Sequence, residues 1–378
     1  MKKIKEITLF TVGDANKLST WSNVPYFFYK SLMAKDIRVN LVDINFDKEL
    51  EKKWDKWKGR ILNKLYTRST YNYFRSNANF IDVQNRIKKA IALYPNSDAN
   101  IFLTFSFSSA GMSKKPTVLF SDWTYEHHFK QHLKREPNFF EKQCIARENA
   151  QIEKADLLLP LFPKVAEYML NRYKNKKIKY LGNVINSVYN VSEEGAINAK
   201  ENSFDLLFVG SEVYKAGATA LISAFVNLKK AFPQLKLHIV GMNKVDFENL
   251  PNDVFCYGYL DKGNDDQREI YYNLFKKAKV FINTTPNWGG FSATIEAMYF
   301  YIPLVVSPYE EFVKTFGKQI NFGNYCQENS PEQIEKNIKS ILNNSGYNTL
   351  GINAHNAVKD YTWNVYIDKV IDEVEKVS

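Results

Sequence analysis

Residues 286 to 298 read PNWGGFSATIEAM, two glycines and two hydroxyl residues leading into a helical pattern that carries one acid, Glu296. Gly289 and Gly290 permit close approach of a backbone to a ligand, Ser292 has the side chain of a helix N-cap, and the free amides of a first turn favour an anion. Glu296 falls one turn inside the helix, where a carboxylate can accept hydrogen bonds from two neighbouring sugar hydroxyls. A diol beside a diphosphate is the outline of a nucleotide. A capped helix with a dipole-compensating glutamate fits the same residues equally well.

A second corner is FVGSEVYKAG, residues 208 to 217, again strand, glycine, loop and helix. Gly210 allows a tight turn, and Lys215 with Gly217 sets a cation beside exposed amides, an arrangement suited to phosphate. It is not a P-loop, because the glycine spacing and the Lys-Ser/Thr ending are missing, and it lacks the three glycines of the dinucleotide fingerprint. A purely structural turn is the bland alternative. Two further corners lie in the first half: Gly13 and Asp14 after the first apolar run, and SDWTYEHHF (121 to 129), where Asp122 ends a strand and His127 and His128 follow in a loop or first helical turn.

The elements that must hold these corners follow from the apolar pattern. Short runs alternate with longer helical stretches, the arrangement of parallel α/β folds. Strands are expected at 7–12, 37–44, 99–106, 116–122, 155–161 and 178–183, with VPYFFYKSLMA as a covering helix between the first two. A polar stretch without apolar periodicity, 186–203, is expected as a linker, after which the pattern restarts with strands at 204–210, 235–241, 254–260, 278–284 and 302–308. In such sheets ligands sit beyond the carboxyl ends of the strands, which is where the corners fall.

At 378 residues two domains are the default. Three cysteines, Cys144, Cys256 and Cys326, are far apart and in no metal-ligand spacing, so neither a disulfide framework nor a zinc site is indicated and a reducing cytoplasm fits. The start, MKKIKEITLF, is read as a buried first strand because Gly13 and Asp14 break the apolar run before any cleavage pattern. No stretch reaches the roughly 18 apolar residues of a membrane span. The net charge of +10 is uneven: residues 1–190 hold 33 Lys+Arg against 18 Asp+Glu, +15, and residues 191–378 hold 18 against 23, −5. A basic half attracts nucleic acid, anionic lipid or a phosphorylated substrate. Within it, 51–68 spaces Trp54, Trp57, Ile61, Leu65 and Tyr66 as a helix does, with Lys52, Lys53, Lys56, Lys58, Arg60 and Lys64 around them, a pattern that lies on an anionic bilayer or packs on its own domain with its lysines in solvent. No nucleic-acid module accompanies the charge.

The segments LLFVGSEVYKAG, AFVNLKKAFPQLKLHIVG, VFCYGYLD, FKKAKVFINTTPNW and TIEAMYFYIPLVVS resemble the donor domain of glycosyltransferase family 4, retaining enzymes of the GT-B fold. IKYLGNVIN is similar to the turn that ends the family's first domain, and YTWNVYIDKVIDEV resembles its final helix. The resemblance implies two doubly wound Rossmann-like domains facing a central cleft: 1–185 for the acceptor, a linker at 186–203, 204–358 for the nucleotide sugar, and a helix at 359–378 returning to the first domain. Glu296 matches the second acid of the family's Glu-x7-Glu motif, expected on the ribose, while the first acid is replaced by Trp288; Ser211 and Ala216 stand at the family's basic pair, with Lys215 one residue early. The implied donor-binding set is Gly13, Gly210, Ser211, Lys215, Tyr259, Trp288, Gly289, Gly290, Phe291, Ser292, Ala293, Thr294 and Glu296, and the implied catalytic set is Asp122, His127 and His128.

The family's activity implies a UDP- or GDP-linked sugar as co-substrate, with no metal and no cofactor, transferred with retention to a glycan or lipid-linked acceptor in bacterial surface polysaccharide or lipopolysaccharide assembly. Location in the cytoplasm, at or near the inner membrane face, goes with that reading. The alternatives are a nucleotide-binding pseudoenzyme or scaffold on the same fold, encouraged by Trp288 and Ser211, and a sugar-nucleotide epimerase or phosphorylase.

Overall fold

A computed structural model describes the whole chain except residues 1, 2, 67 and 286–290. The chain divides into two compact units, Met1–Asn183 with Trp363–Ser378, and Val184–Thr362.

The first unit runs β1 (Glu6–Thr11), α1 (Val24–Met33), β2 (Arg38–Asp43), α2 (Lys48–Trp54), α3 (Arg60–Leu65), α4 (Asn77–Leu93), β3 (Ala99–Phe102), β4 (Thr117–Ser121), α5 (Tyr125–His128), α6 (Phe139–Lys154), β5 (Leu157–Pro160) and α7 (Pro163–Arg172). Its five strands are parallel in the order β2-β1-β3-β4-β5. β1, β3 and β4 are buried along their whole length because helices cover both faces, whereas β2 lies at the edge and is partly exposed.

The second unit carries α8 (Glu193–Lys200), β6 (Asp205–Val209), α9 (Lys215–Ala231), β7 (Lys236–Val240), β8 (Val254–Cys256), α10 (Asp265–Lys277), β9 (Ala278–Asn283), α11 (Ser292–Tyr299), β10 (Leu304–Val306), α12 (Glu310–Phe316), β11 (Gly323–Tyr325), α13 (Pro331–Leu342) and α14 (Tyr347–Val358). Its parallel order is β11-β10-β9-β6-β7-β8. One core joins Leu206, Phe208, Leu221, Phe225, Ile239, Val280 and Ile338 from strands and helices. The last helix, α15 (Trp363–Val377), belongs to the first unit: Trp363 packs against Phe27 and Phe28, and Tyr366 meets Phe120 edge to face.

Two expectations need correction. The stretch 186–203 is not a bare linker, because Ser192 caps α8 and the helix buries Ala196 and Lys200 in the second unit. The lysine escaped the apolar count, yet its ammonium is satisfied by the carbonyls of Phe300 at 2.8 Å and Ala196 at 3.2 Å. No strand forms at 178–183, where Ile178 makes only an isolated bridge to Leu158, and the edge strand β11, with little apolar signal, was not anticipated.

Candidate functional site

Each sheet reverses its strand order once, between β1 and β3 in the first unit and between β6 and β9 in the second, and such switch points are where doubly wound sheets bind ligands. The second-unit corner is built by close packing of backbone. Gly241 presses on Gly210, where an added Cβ would stand 2.5 Å from the Gly210 carbonyl oxygen. Gly217, in the first turn of α9, would carry a Cβ 2.4 Å from Thr285 Oγ1, so only glycine lets α9 approach the end of β9. Lys215 opens α9 with its side chain exposed, Ser211 is exposed beside it, and Tyr259 is 70% exposed beyond β8.

Trp288, Gly289 and Gly290 lie outside the described residues. Beyond them α11 begins at Ser292, so the serine is the first helical residue and not the N-cap; Phe291 takes the cap position without a side-chain cap bond. It is fixed by packing, its ring meeting Phe312 edge to face at 5.7 Å. Ala293 is partly buried and Thr294 buried.

Glu296 is 3% exposed and already engaged. Lys262 donates to both carboxylate oxygens, at 2.7 and 2.9 Å, and Tyr271 donates its hydroxyl at 2.9 Å. The same ammonium reaches the Asn186 carbonyl at 3.0 Å and lies 4.4 Å from the Tyr271 ring centroid. Burial lowers the pKa of Lys262 while the carboxylate pulls it back up, and burial with the Glu296 charge pushes the Tyr271 phenol far up. A carboxylate has about four acceptor sites, and three are taken. Nothing in DKGNDD marked Lys262 as a buried cation; the apolar stripe of α10 that carries Tyr271 was the available signal.

In the first unit, Gly13 adopts φ +101 and donates its amide to Asp43 at 2.9 Å, and the Asp14 carboxylate closes a turn on Asn16. Asp122, past the end of β4, accepts from the Trp123 amide at 2.8 Å and Ser121 Oγ at 3.2 Å, and burial lifts its pKa above the ordinary carboxylate value. The Trp21 indole also hydrogen-bonds it. Trp21, Ser22 and Asn23 have φ of 34, 52 and 73, three successive left-handed residues without a glycine, and such strain concentrates at functional sites.

Thr124 caps α5 by accepting the His127 amide at 3.1 Å, which places both histidines in one helical turn. His127 is 3% exposed, stacked on Trp123 at 5.1 Å, and its Nδ1 has no hydrogen-bond partner among the described residues. Burial, then His132 and Lys130, brings its pKa down to about 4; burial does the same for His128. Both are neutral imidazoles at pH 7. Asp122, His127 and His128 thus share one segment at the end of β4, with Trp21, Trp123 and Glu148 as neighbours that the sequence did not single out.

The two sheets and their switch points define a GT-B fold. Residues 192–359 match the family model described as glycosyl transferases group 1. Among solved structures, a glycosyltransferase from Rickettsia africae is similar at TM-score 0.66 and 15% identity over 100% of this chain and 99% of that one. HepE from Anabaena, solved with UDP and glucose, is similar at TM-score 0.64 and 12% identity over 98% and 99%. WaaG, a glycosyltransferase involved in lipopolysaccharide biosynthesis, follows at 0.63 and 15% over 98% and 99%. Comparison with curated proteins finds none that matches.

Proposed function

We propose that the chain is a retaining glycosyltransferase that takes its sugar from a nucleoside-diphosphate donor. The observation that carries this reading is the match of residues 192–359, nearly all of the second unit, to group 1 glycosyl transferases, with the β6/β9 switch point inside it. HepE was solved with UDP and glucose, which makes a uridine nucleotide the first ligand to try. In this reading the diphosphate rests on the first turn of α11 and the Lys215 ammonium. Retention proceeds by front-face attack, the departing diphosphate taking the acceptor's proton as the bond to the sugar loosens. Lys215 and the helix amides stabilise the growing negative charge, the contribution that dominates such catalysis. Asp122, His127 and His128 orient the acceptor.

The role of Glu296 is narrower than its sequence position suggests. With one acceptor site left, it takes a second ribose hydroxyl only if Lys262 or Tyr271 releases one bond. Titration calorimetry with UDP, GDP and their sugars tests the assignment. Glu296→Gln should weaken nucleotide binding about ten-fold or more, a charged hydrogen bond being worth roughly 1.5 to 3 kcal/mol. Unchanged affinity in the folded variant refutes a ribose contact. That sequestered carboxylate also favours a second reading, a nucleotide-binding protein without transfer, which donor binding with no hydrolysis or transfer would support.

The acceptor is proposed to be a membrane-borne glycan or lipid. Trp54 anchors its helix on Tyr71 and Tyr73, while Trp57, Ile61 and Leu65 stand 71%, 60% and 68% exposed among exposed lysines. Co-sedimentation should show binding to vesicles containing anionic lipid, lost in Trp57→Glu/Leu65→Glu; equal binding of both forms overturns the assignment.

A further inference from the structure

Of nine arginines, Arg38, Arg86, Arg135, Arg172 and Arg268 are ion-paired among the described residues, and Arg60 and Arg68 lie exposed in solvent. Arg135 shows the pattern, both its nitrogens gripping Glu141 at 2.8 and 2.9 Å. Arg75 and Arg147 are half-buried and pair with no acid among the described residues. The Arg75 guanidinium lies 4.3 Å from the Tyr125 ring centroid and makes one hydrogen bond among the described residues, to the Thr70 carbonyl at 3.2 Å. Arg147, from α6, lies 5.4 Å from the Phe80 ring centroid, donates to the Arg75 carbonyl and reaches the Tyr71 hydroxyl and Cys144 thiol. Each guanidinium has five donors, so Arg75 with one side-chain bond and Arg147 with three partners both keep donors that an oxyanion can take.

The two line one cleft with Ser76, Ser106 and Glu148. A cavity of about 10 Å³ admits one water, so a compact group seats at its mouth and a sugar ring does not enter. Glu148 is the opposing charge. Its oxygens are held by the Tyr125 amide and Ser106 Oγ and Arg75 acts on it electrostatically, so one carboxylate faces two guanidiniums and the cleft keeps a net positive charge. The cleft adjoins the candidate acceptor segment: Arg75 acts electrostatically on His128, and Asp122 on Glu148.

We propose that Arg75 and Arg147 form an oxyanion subsite of the first unit, which holds a phosphate or a carboxylate carried by the acceptor. That the ligand is an acceptor rests on the transferase reading; the anion site does not. The test titrates the full chain with inorganic phosphate, a hexose phosphate, a hexuronate and the neutral hexose, following ligand NMR signals. An anion should saturate where the neutral hexose does not, and whichever of phosphate and uronate binds tighter identifies the group. Arg75→Lys and Arg147→Lys keep the charge and lose the fork, and each should weaken anion binding about ten-fold. Lys88→Gln, an exposed charge on α4, should change nothing. UDP affinity should stay constant throughout, which separates this site from the donor assignment. No saturation by any anion, or equal affinity in wild type and both lysine variants, overturns the proposal.

Discussion

Replacing Lys262 with methionine tests the buried cluster directly. The change keeps length and apolar bulk and removes an ammonium that makes three hydrogen bonds, two to Glu296 and one to Asn186. The side chains are 10% and 4% exposed, so water cannot replace the lost partner. Stranding one member of such a pair costs about 3 to 5 kcal/mol. For a unit the size of Val184–Thr362, that lowers the melting temperature by roughly 10 °C. Adding Glu296→Leu should recover most of the loss, because an ion pair replaced by apolar groups of similar volume is often neutral. A residue of about 1 to 2 kcal/mol should remain for the Tyr271 hydroxyl left without its acceptor. Urea unfolding of the wild type, both single variants and the double variant gives the coupling energy from one cycle. If Lys262→Met lies within 1 kcal/mol of wild type, or the double variant is as unstable as the single, the pair is not what holds this corner, and Glu296 is freer to bind ligand than its geometry states.

Acidification should destabilise the first unit in a defined window. His127 and His128 have folded pKa values near 4 against 6.5 for the ordinary imidazole, so the unfolded chain takes up protons first and their stabilisation is complete above pH 6.5 and lost as pH falls towards 4. The His127 share approaches about 3 kcal/mol, and melting temperature against pH should flatten in His127→Asn; an unaltered slope rejects the assignment. Gly217→Ala forces a methyl against Thr285 and should cost about 1 to 3 kcal/mol while weakening UDP binding through displacement of α9, as measured by melting and calorimetry.

The fold was legible wherever burial was uniform. β1, β3, β4, β6 and β9 are apolar because both faces of a parallel sheet are covered, and each falls within a residue or two of its expected start. Elements whose stability comes from backbone pairing or from polar satisfaction escaped notice. β11, GNY, pairs with β10 through its main chain, and α8 is tied down by a lysine. The corners were legible from glycine and strand ends. Lys262 and Glu296 are 34 positions apart, and Arg75 and Arg147 also meet only through the fold. No spacing rule links residues that different elements bring together.

The membership of α15 in the first unit bears on how the protein is made. Ile367, Val370 and Val374 are fully buried, and Trp363 and Tyr366 nearly so. A ribosome makes these side chains only after the whole of Val184–Thr362. The second unit can therefore complete its core while the first still exposes the apolar strip that α15 will cover. Completion of the first unit should wait for α15, and a nascent chain stalled before residue 363 should expose that strip to chaperones.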